Sequence, residues 1–395
     1  MAASRTAAVS LSRYAAGWLA VRRCASLRKR FLLETPHPFG GAGRCRDSRQ
    51  RPAGGAPMNS TRTASDDPNH TNPTAGATMR AIAAPGYGPL ANLARIDLPI
   101  PLPRSHQIRV RVAATSLNPA DYKVVLGTMK LLHARRRPLV LGYDFSGVVD
   151  AVGAAVKDHR VGDEVFGFLP YGPFNAQGAF AEFIVANERE VAKKPSNVPH
   201  LTAAAAATTG LTTIQALRDL GKVHDGSKVL ITGVSGAVGS IAIGIARKLG
   251  AQVAAVGSGA GLDRARALGA TTVLDRTALK LPDGVGEQFD VVFDAAAAFR
   301  WKAWRGTLKP GGAFVTTLPS GGFVADKLRS LFSTTRVHFI AVKSRRTDLE
   351  LLGSWLDAGL EVPLAPTIDV KDVAEGLGQL QRRGGKIAVR VEGGF

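Results

Sequence analysis

The stretch Lys228-Val-Leu-Ile-Thr-Gly-Val-Ser-Gly-Ala-Val-Gly-Ser-Ile-Ala-Ile-Gly-Ile-Ala246 decides the fold of this 395-residue chain. Residues 229–232 are apolar or β-branched and predict a buried strand, while 241–249 carry apolar residues at helical spacing. Gly233, Gly236 and Gly239 fall where the strand gives way to the helix. A turn free of Cβ atoms at that point aims backbone N–H groups and the positive end of the helix dipole at one spot, which suits a pyrophosphate. Ser235, Ala237 and Val238 complete this candidate phosphate cradle; an ordinary strand–helix turn is the alternative reading.

Segments of strand and helix character alternate around the turn, at 253–256, 262–268, 272–274, 291–293 and 313–318. That alternation predicts a doubly wound parallel sheet over 201–337. Residues 201–220 are alanine-rich and read as a helix broken at Thr208-Thr-Gly. Residues 79–200 read instead as short strands punctuated by glycine and proline: 107–113 alternates cleanly, and 139–152, 164–168 and 178–185 follow at the spacing of a small β-barrel. Beyond 338 come a strand, helices at 347–358 and 370–381, and a last strand at 386–391.

The formal charge of +20 raises the question of a polyanionic partner. Residues 1–78 carry +8 of it and the rest is spread without a dominant block, which fits a small anionic ligand better than a nucleic-acid groove. No apolar run approaches the roughly 18 residues of a membrane span. Both cysteines, Cys24 and Cys45, precede Met79, which excludes a disulfide framework, a thiolate zinc site and a cysteine nucleophile from 79–395. Residues 1–78 are rich in Arg, Ser and Ala, and their first acid is Glu34. They read as a disordered basic extension: a mitochondrial transit peptide over 1–33, or a leader upstream of a true start at Met58 or Met79. The second reading places the protein in the cytoplasm.

An acid about 20 residues past the glycines grips the adenine ribose of NAD in such folds. Here the second strand ends in Gly257-Ser258-Gly259 and no carboxylate follows until Asp263. The gap leaves room for a 2′-phosphate, with Ser258 and Arg264 or Arg266 as donors, so the expected cofactor is NADP(H).

Six ordered stretches carry a family resemblance: Asn118-Pro-Ala-Asp121, Gly142-Tyr-Asp-Phe-Ser-Gly-Val-Val-Asp-Ala-Val-Gly153, Val161-Gly-Asp-Glu-Val-Phe-Gly167, Gly178-Ala-Phe-Ala-Glu-Phe183, Thr209-Gly-Leu-Thr212 and the glycine turn. Over 79–395 the chain resembles the medium-chain dehydrogenase/reductases, in the zinc-independent quinone oxidoreductase branch that includes zeta-crystallin. The resemblance implies an α/β protein with a GroES-like β-barrel catalytic domain over 79–200, a Rossmann NADPH-binding domain over 201–337, and a segment 338–395 returning to the catalytic domain. It also implies a homodimer pairing through the Rossmann sheet edge. The zinc-dependent members carry cysteines and a Gly-His-Glu motif; this chain has Asn118 near the first ligand position and Gly142-Tyr143-Asp144 at the motif, so the metal expectation is none.

The resemblance implies roles residue by residue. Asn118 and Asp121 lie near the nicotinamide, with Asn118 on the substrate oxygen; Thr212 lies beside the nicotinamide; Lys386, in Gly385-Lys386, reaches the cofactor. Read from residue type alone, Asn118-Pro119 is also a turn former, and Tyr122 and Tyr143 are either proton donors or barrel core. Without a metal, hydride addition to a conjugated acceptor is the accessible chemistry, because the negative charge delocalises and modest hydrogen bonds hold it. The expected substrate is a quinone or an α,β-unsaturated carbonyl; the alternatives are an enoyl thioester or a low-turnover NADPH-binding protein.

Overall fold

A computed structural model describes residues 76–129, 137–171, 177–278, 285–286, 288–319, 322–380 and 384–395. The readings of residues 1–75, including Met58 and the transit-peptide segment, lie outside the described residues.

The chain opens with strands β1 (Thr78–Ala84), β2 (Ala94–Pro99) and β3 (Gln107–Ser116), followed by helix α1 (Pro119–Val125). Strands β4 (Leu139–Val140), β5 (Asp144–Val152), β6 (Glu164–Phe168), β7 (Phe183–Asn187) and β8 (Val191–Lys193) complete this first part. β3 is the spine: it pairs antiparallel with β5 on one side and with β7 on the other. The alternation that marks it in the sequence is what a strand with one face in a core requires, and Ile108, Val110 and Val112 are buried in a core shared with Phe145, Phe180 and Ile184.

Helix α2 (His200–Ile214) leads into the second part. It is not broken at Thr208-Thr-Gly, contrary to the sequence expectation. Thr209 and Thr213 turn their hydroxyls inward, each donating to the carbonyl four residues back, which satisfies them without leaving the helix. Gly210 is there for clearance, since a Cβ on it would sit 2.5 Å from Leu352 Cδ2. The last turn continues as a π-helix over Gln215–Gly221.

Then come β9 (Lys228–Thr232), α3 (Ala237–Lys248), β10 (Gln252–Gly257), α4 (Ala260–Ala267), β11 (Thr272–Asp275), β12 (Phe289–Asp294), α5 (Trp301–Trp304), β13 (Leu308–Thr316), α6 (Phe323–Ser330) and β14 (Arg336–Phe339). Among the described residues the sheet is six-stranded and parallel in the order β11-β10-β9-β12-β13-β14. Its order reverses beside β9, and the glycine turn follows β9, so the turn lies at the topological switch point. Val229, Ile231, Val253, Val291 and Phe293 bury one face of the sheet against α2 and α3.

The chain ends with α7 (Arg346–Asp357), β15 (Ile368–Asp369), α8 (Val373–Gln379) and β16 (Ala388–Arg390). β16 pairs with β3, which returns the C-terminus to the first part. A domain boundary at 337/338 cuts through β14, which pairs with β13 and so belongs to the parallel sheet. Among the described residues no helix is long and apolar enough to cross a membrane.

Candidate active site

A cavity of about 550 Å³ lies where the C-terminal ends of β9, β10 and β12 face α1 and the segment entering β16. Gly233, Ser235, Gly236, Ala237, Val238 and Gly239 line one wall. α3 starts with Gly236 as its N-cap and no side chain caps it, so its first N–H groups are left for whatever occupies the cavity. Gly233 holds φ +70°, where side chains are rarely tolerated, and a Cβ on Gly239 would lie 2.3 Å from the Gly233 carbonyl oxygen. A Cβ on Gly236 would meet no protein atom closer than 3.4 Å, so only that glycine opens freely toward the cavity it lines. The cradle fits a pyrophosphate: glycine, N–H groups and a helix dipole at one point.

Ser235 ties the turn to the end of β10, its hydroxyl donating to the Ser258 carbonyl at 3.1 Å. At that end the sequence pointed to Arg264 and Arg266. Arg264 instead lies against Gly384 and outside the cavity lining, and Arg266 pairs at 2.7 Å with Asp263 on the exposed side of α4. The arginine found there is Arg276, just past β11, whose Nε donates to Ser258 Oγ at 3.3 Å. Both Ser258 and Arg276 line the cavity. Asp275, in register with Gly257, is turned away and accepts from the Thr277 amide and hydroxyl. Arg276 was findable: adjacent strands of a parallel sheet end at the same crevice, so the residue after 272–275 belongs to it.

The opposite wall is built on Asp144, which is wholly buried and gathers five donors. Its Oδ1 accepts from the Thr208 amide at 2.8 Å and the Thr208 hydroxyl at 2.5 Å. Its Oδ2 accepts from the Ser116 hydroxyl, from Asn118 Nδ2 at 2.8 Å and from Lys386 Nζ at 3.1 Å. Lys386 Nζ also donates to Asn118 Oδ1 at 2.5 Å. Asn118 and Lys386 both line the cavity although each is almost entirely buried. Lys386 reaches this spot because Gly385 donates to the Ser235 carbonyl, which sets the return segment against the glycine turn.

Asp121 stands behind this wall, not in it. It is fully buried at the first turn of α1, where its Oδ2 accepts from the Asn118 amide and its Oδ1 from the Gly142 amide, both at 2.8 Å. Burial pushes its carboxyl up to about 7, against the lowering effect of those two amides. It therefore supports Asn118 and does not itself line the cavity. Tyr143 is buried in the barrel core, its ring 4.4 Å from that of Tyr171, and burial drives its phenol far above the ordinary tyrosine range. Tyr122 packs on the same core. Thr212 is buried in α2 outside the lining; Thr209, one turn earlier and inside the same quoted stretch, lines the cavity.

A glycine turn at a switch point, facing a polar wall from the antiparallel part of the chain, is the arrangement in which such folds hold a dinucleotide in the crevice. Residues 104–196 match the alcohol dehydrogenase GroES-like domain and 268–389 match the family described as zinc-binding dehydrogenase. The chain is 33% identical over 257 residues to the chloroplast envelope quinone oxidoreductase homolog of Arabidopsis thaliana, a match covering 62% of this chain and 76% of that protein. It is 30% identical over 300 residues to 2-methylene-furan-3-one reductase of Solanum lycopersicum, covering 74% and 72% respectively. The quinone oxidoreductase of Coxiella burnetii superposes with a TM-score of 0.72 at 26% identity, over 80% of this chain and all of that one. The chain belongs to the medium-chain dehydrogenase/reductase superfamily, among its quinone oxidoreductases.

Proposed function

We propose that this oxidoreductase uses NADPH, needs no zinc, and delivers hydride to a quinone or an α,β-unsaturated carbonyl. The observation that carries the reading is the polar wall: an asparagine amide held between the Lys386 ammonium and Asp144, lining a cavity that opposes a phosphate cradle. The nicotinamide supplies the hydride; the protein's part is to bind, orient and stabilise. Ala237 to Gly239 offer N–H groups to the pyrophosphate, and Ser258 and Arg276 offer donors to a 2′-phosphate. Asn118, with an N–H to spare, offers a hydrogen bond to the acceptor oxygen as negative charge gathers there. Pro119, Phe299 and Leu380 make part of the lining apolar, which suits a flat, conjugated acceptor.

Zinc independence rests on residue chemistry. Residues 79–395 offer no thiolate, and an ammonium bridges Asn118 and Asp144, so a dication at that spot would meet a fixed positive charge. The relatives' names favour both acceptor classes, since one is a quinone oxidoreductase homolog and another reduces an exocyclic enone. The test is loss of NADPH absorbance with a quinone, an enal and an enoyl thioester, each with and without a strong chelator. Turnover with the first two, unchanged by chelation, is the expected result; binding of NADPH without oxidation by any acceptor defeats the reading. Within the same assay Arg276→Glu raises KM for NADPH and leaves that for NADH nearly unchanged. A charge-assisted hydrogen bond of about 1.5–3 kcal/mol sets the scale at roughly tenfold to a hundredfold.

A homodimer through the edge of the parallel sheet belongs to the same proposal. β14 is an edge strand, and beside it α6 and the following turn expose Val324, Leu328, Leu331 and Phe332, the last 94% exposed. An open strand edge next to an apolar patch is a surface that self-association covers. Sedimentation equilibrium is expected to give a dimer for the wild type and a monomer for Phe332→Glu with its fold retained; a wild-type monomer at micromolar concentration rejects the dimer.

A further inference from the structure

The geometry points to Lys386 and Asp144 as positioning residues that set which way the Asn118 side-chain amide faces, so that it presents an N–H and not a carbonyl to the acceptor oxygen. This rests on the reductase reading above and adds a residue-level device to it. A primary amide is nearly symmetric in shape, and only its neighbours decide which end is which. Here the neighbours are unambiguous. An ammonium is donor-only, so Lys386 Nζ, at 2.5 Å, requires Oδ1 on its side. The Asp144 carboxylate, already receiving Ser116 and Thr208 donors, requires Nδ2 on its side, at 2.8 Å.

Turning the amide over would set its carbonyl against a carboxylate and its NH₂ against an ammonium, two repulsions in a site from which water is largely excluded. The pair therefore holds one orientation. Nδ2 has two hydrogens; Asp144 takes one, and among the described residues the other has no acceptor, on a side chain that lines the cavity. Such a donor, fixed before the acceptor arrives, costs no reorganisation when charge develops. Neither positioning residue needs to touch the substrate. The three side chains come from three separate places, the start of α1, the start of β5 and the entry to β16, so the device forms only when the C-terminal return is in place.

The experiment combines kinetics with NMR of Asn118 in full-length protein. Lys386→Met is expected to lower kcat at least about tenfold, with the NADPH dissociation constant within about twofold of wild type, because a transition-state donor is lost while the cradle is intact. Lys386→Arg, which keeps cationic donors, is expected to recover part of kcat, and it also serves if the methionine variant fails to fold. In an Asn118→Ala background, Lys386→Met is expected to cost almost nothing further in kcat, since there is no amide left to orient. A weakened NADPH affinity with kcat unchanged makes Lys386 a cofactor ligand and overturns the inference, as does full additivity of the two substitutions. The Asn118 side-chain NH₂ resonances, assigned by comparison with Asn118→Ala, are expected to shift in Lys386→Met. Unchanged resonances overturn the clamp even if no acceptor is ever reduced, which separates its failure from failure of the reductase reading.

Discussion

Gly239→Ala is expected to lose both stability and cofactor binding, while Gly236→Ala loses binding alone. The two glycines sit three residues apart in one turn, yet their surroundings differ. A Cβ at 239 would stand 2.3 Å from the Gly233 oxygen, 2.6 Å from its carbonyl carbon and 2.9 Å from Val234 Cα. All three are backbone atoms of the tight turn, so relief requires the turn itself to open. Overpacking of this kind costs about 1–3 kcal/mol, and an opened turn no longer gathers its N–H groups. At 236 the backbone is extended, at φ −92° and ψ 170°, and the nearest protein atom to a Cβ is at 3.4 Å. An alanine there is therefore compatible with the fold, but its methyl group occupies space where a pyrophosphate must approach closely. Thermal unfolding with NADPH titration checks the pair. A Gly239→Ala protein that melts like wild type and binds NADPH normally contradicts the steric account, as does a Gly236→Ala protein that binds normally.

Asp121→Ala is expected to destabilise the protein by about 2–5 kcal/mol near neutral pH or below. Two buried amides, those of Asn118 and Gly142, would lose their acceptor, and each unsatisfied group costs about 1–3 kcal/mol. Hydride transfer should fall with it, because the Asn118 backbone loses its anchor. The effect carries a pH signature. Burial holds the Asp121 carboxyl at about 7 in the folded protein, above its ordinary value of 3.8. A folded-state value raised in this way gives stability that is fully present below about pH 4 and is lost as pH rises through 7. The stability difference between wild type and Asp121→Ala should thus be larger at pH 5 than at pH 8, by about 3 kcal/mol on simple linkage. Urea unfolding of both proteins across that range measures it. A difference that is flat, or that grows toward alkaline pH, shows that Asp121 is not held protonated by burial.

The chain's two halves were unequally legible. The parallel sheet, the glycine turn after 229–232 and a strand at 107–113 follow from local pattern, because a period of two, a period of 3.6 and a run of glycines each leave their mark over a dozen residues. Thr208-Thr-Gly misled because the Thr209 hydroxyl is satisfied by the helix's own Ala205 carbonyl and that of Thr208 by Asp144, partners that only the packing around α2 supplies. The site residues divide the same way. The glycines announce themselves, since backbone geometry demands that residue type, whereas Asn118-Pro119, which also reads as a turn former, proves to be the N-cap and first residue of α1. Arg276, and not Arg264, lines the cavity beside Ser258, a placement visible only once the strands are laid side by side.

By itself, then, the sequence determined the two kinds of fold, the glycine turn and the exclusion of thiolate zinc from 79–395, because each depends on local residue type and spacing. Only the tertiary structure decided the chemistry of the opposite wall. Ser116, Asn118, Asp144, Thr208 and Lys386 span 270 positions of chain and act as one unit. Hydrogen-bond partners that are distant in sequence leave no period and no spacing to read. The carboxylate at 144 reads, in sequence, only as the third residue of a motif that lacks histidine. Buried beneath five donors, it becomes the group around which the polar wall opposite the glycine turn is arranged.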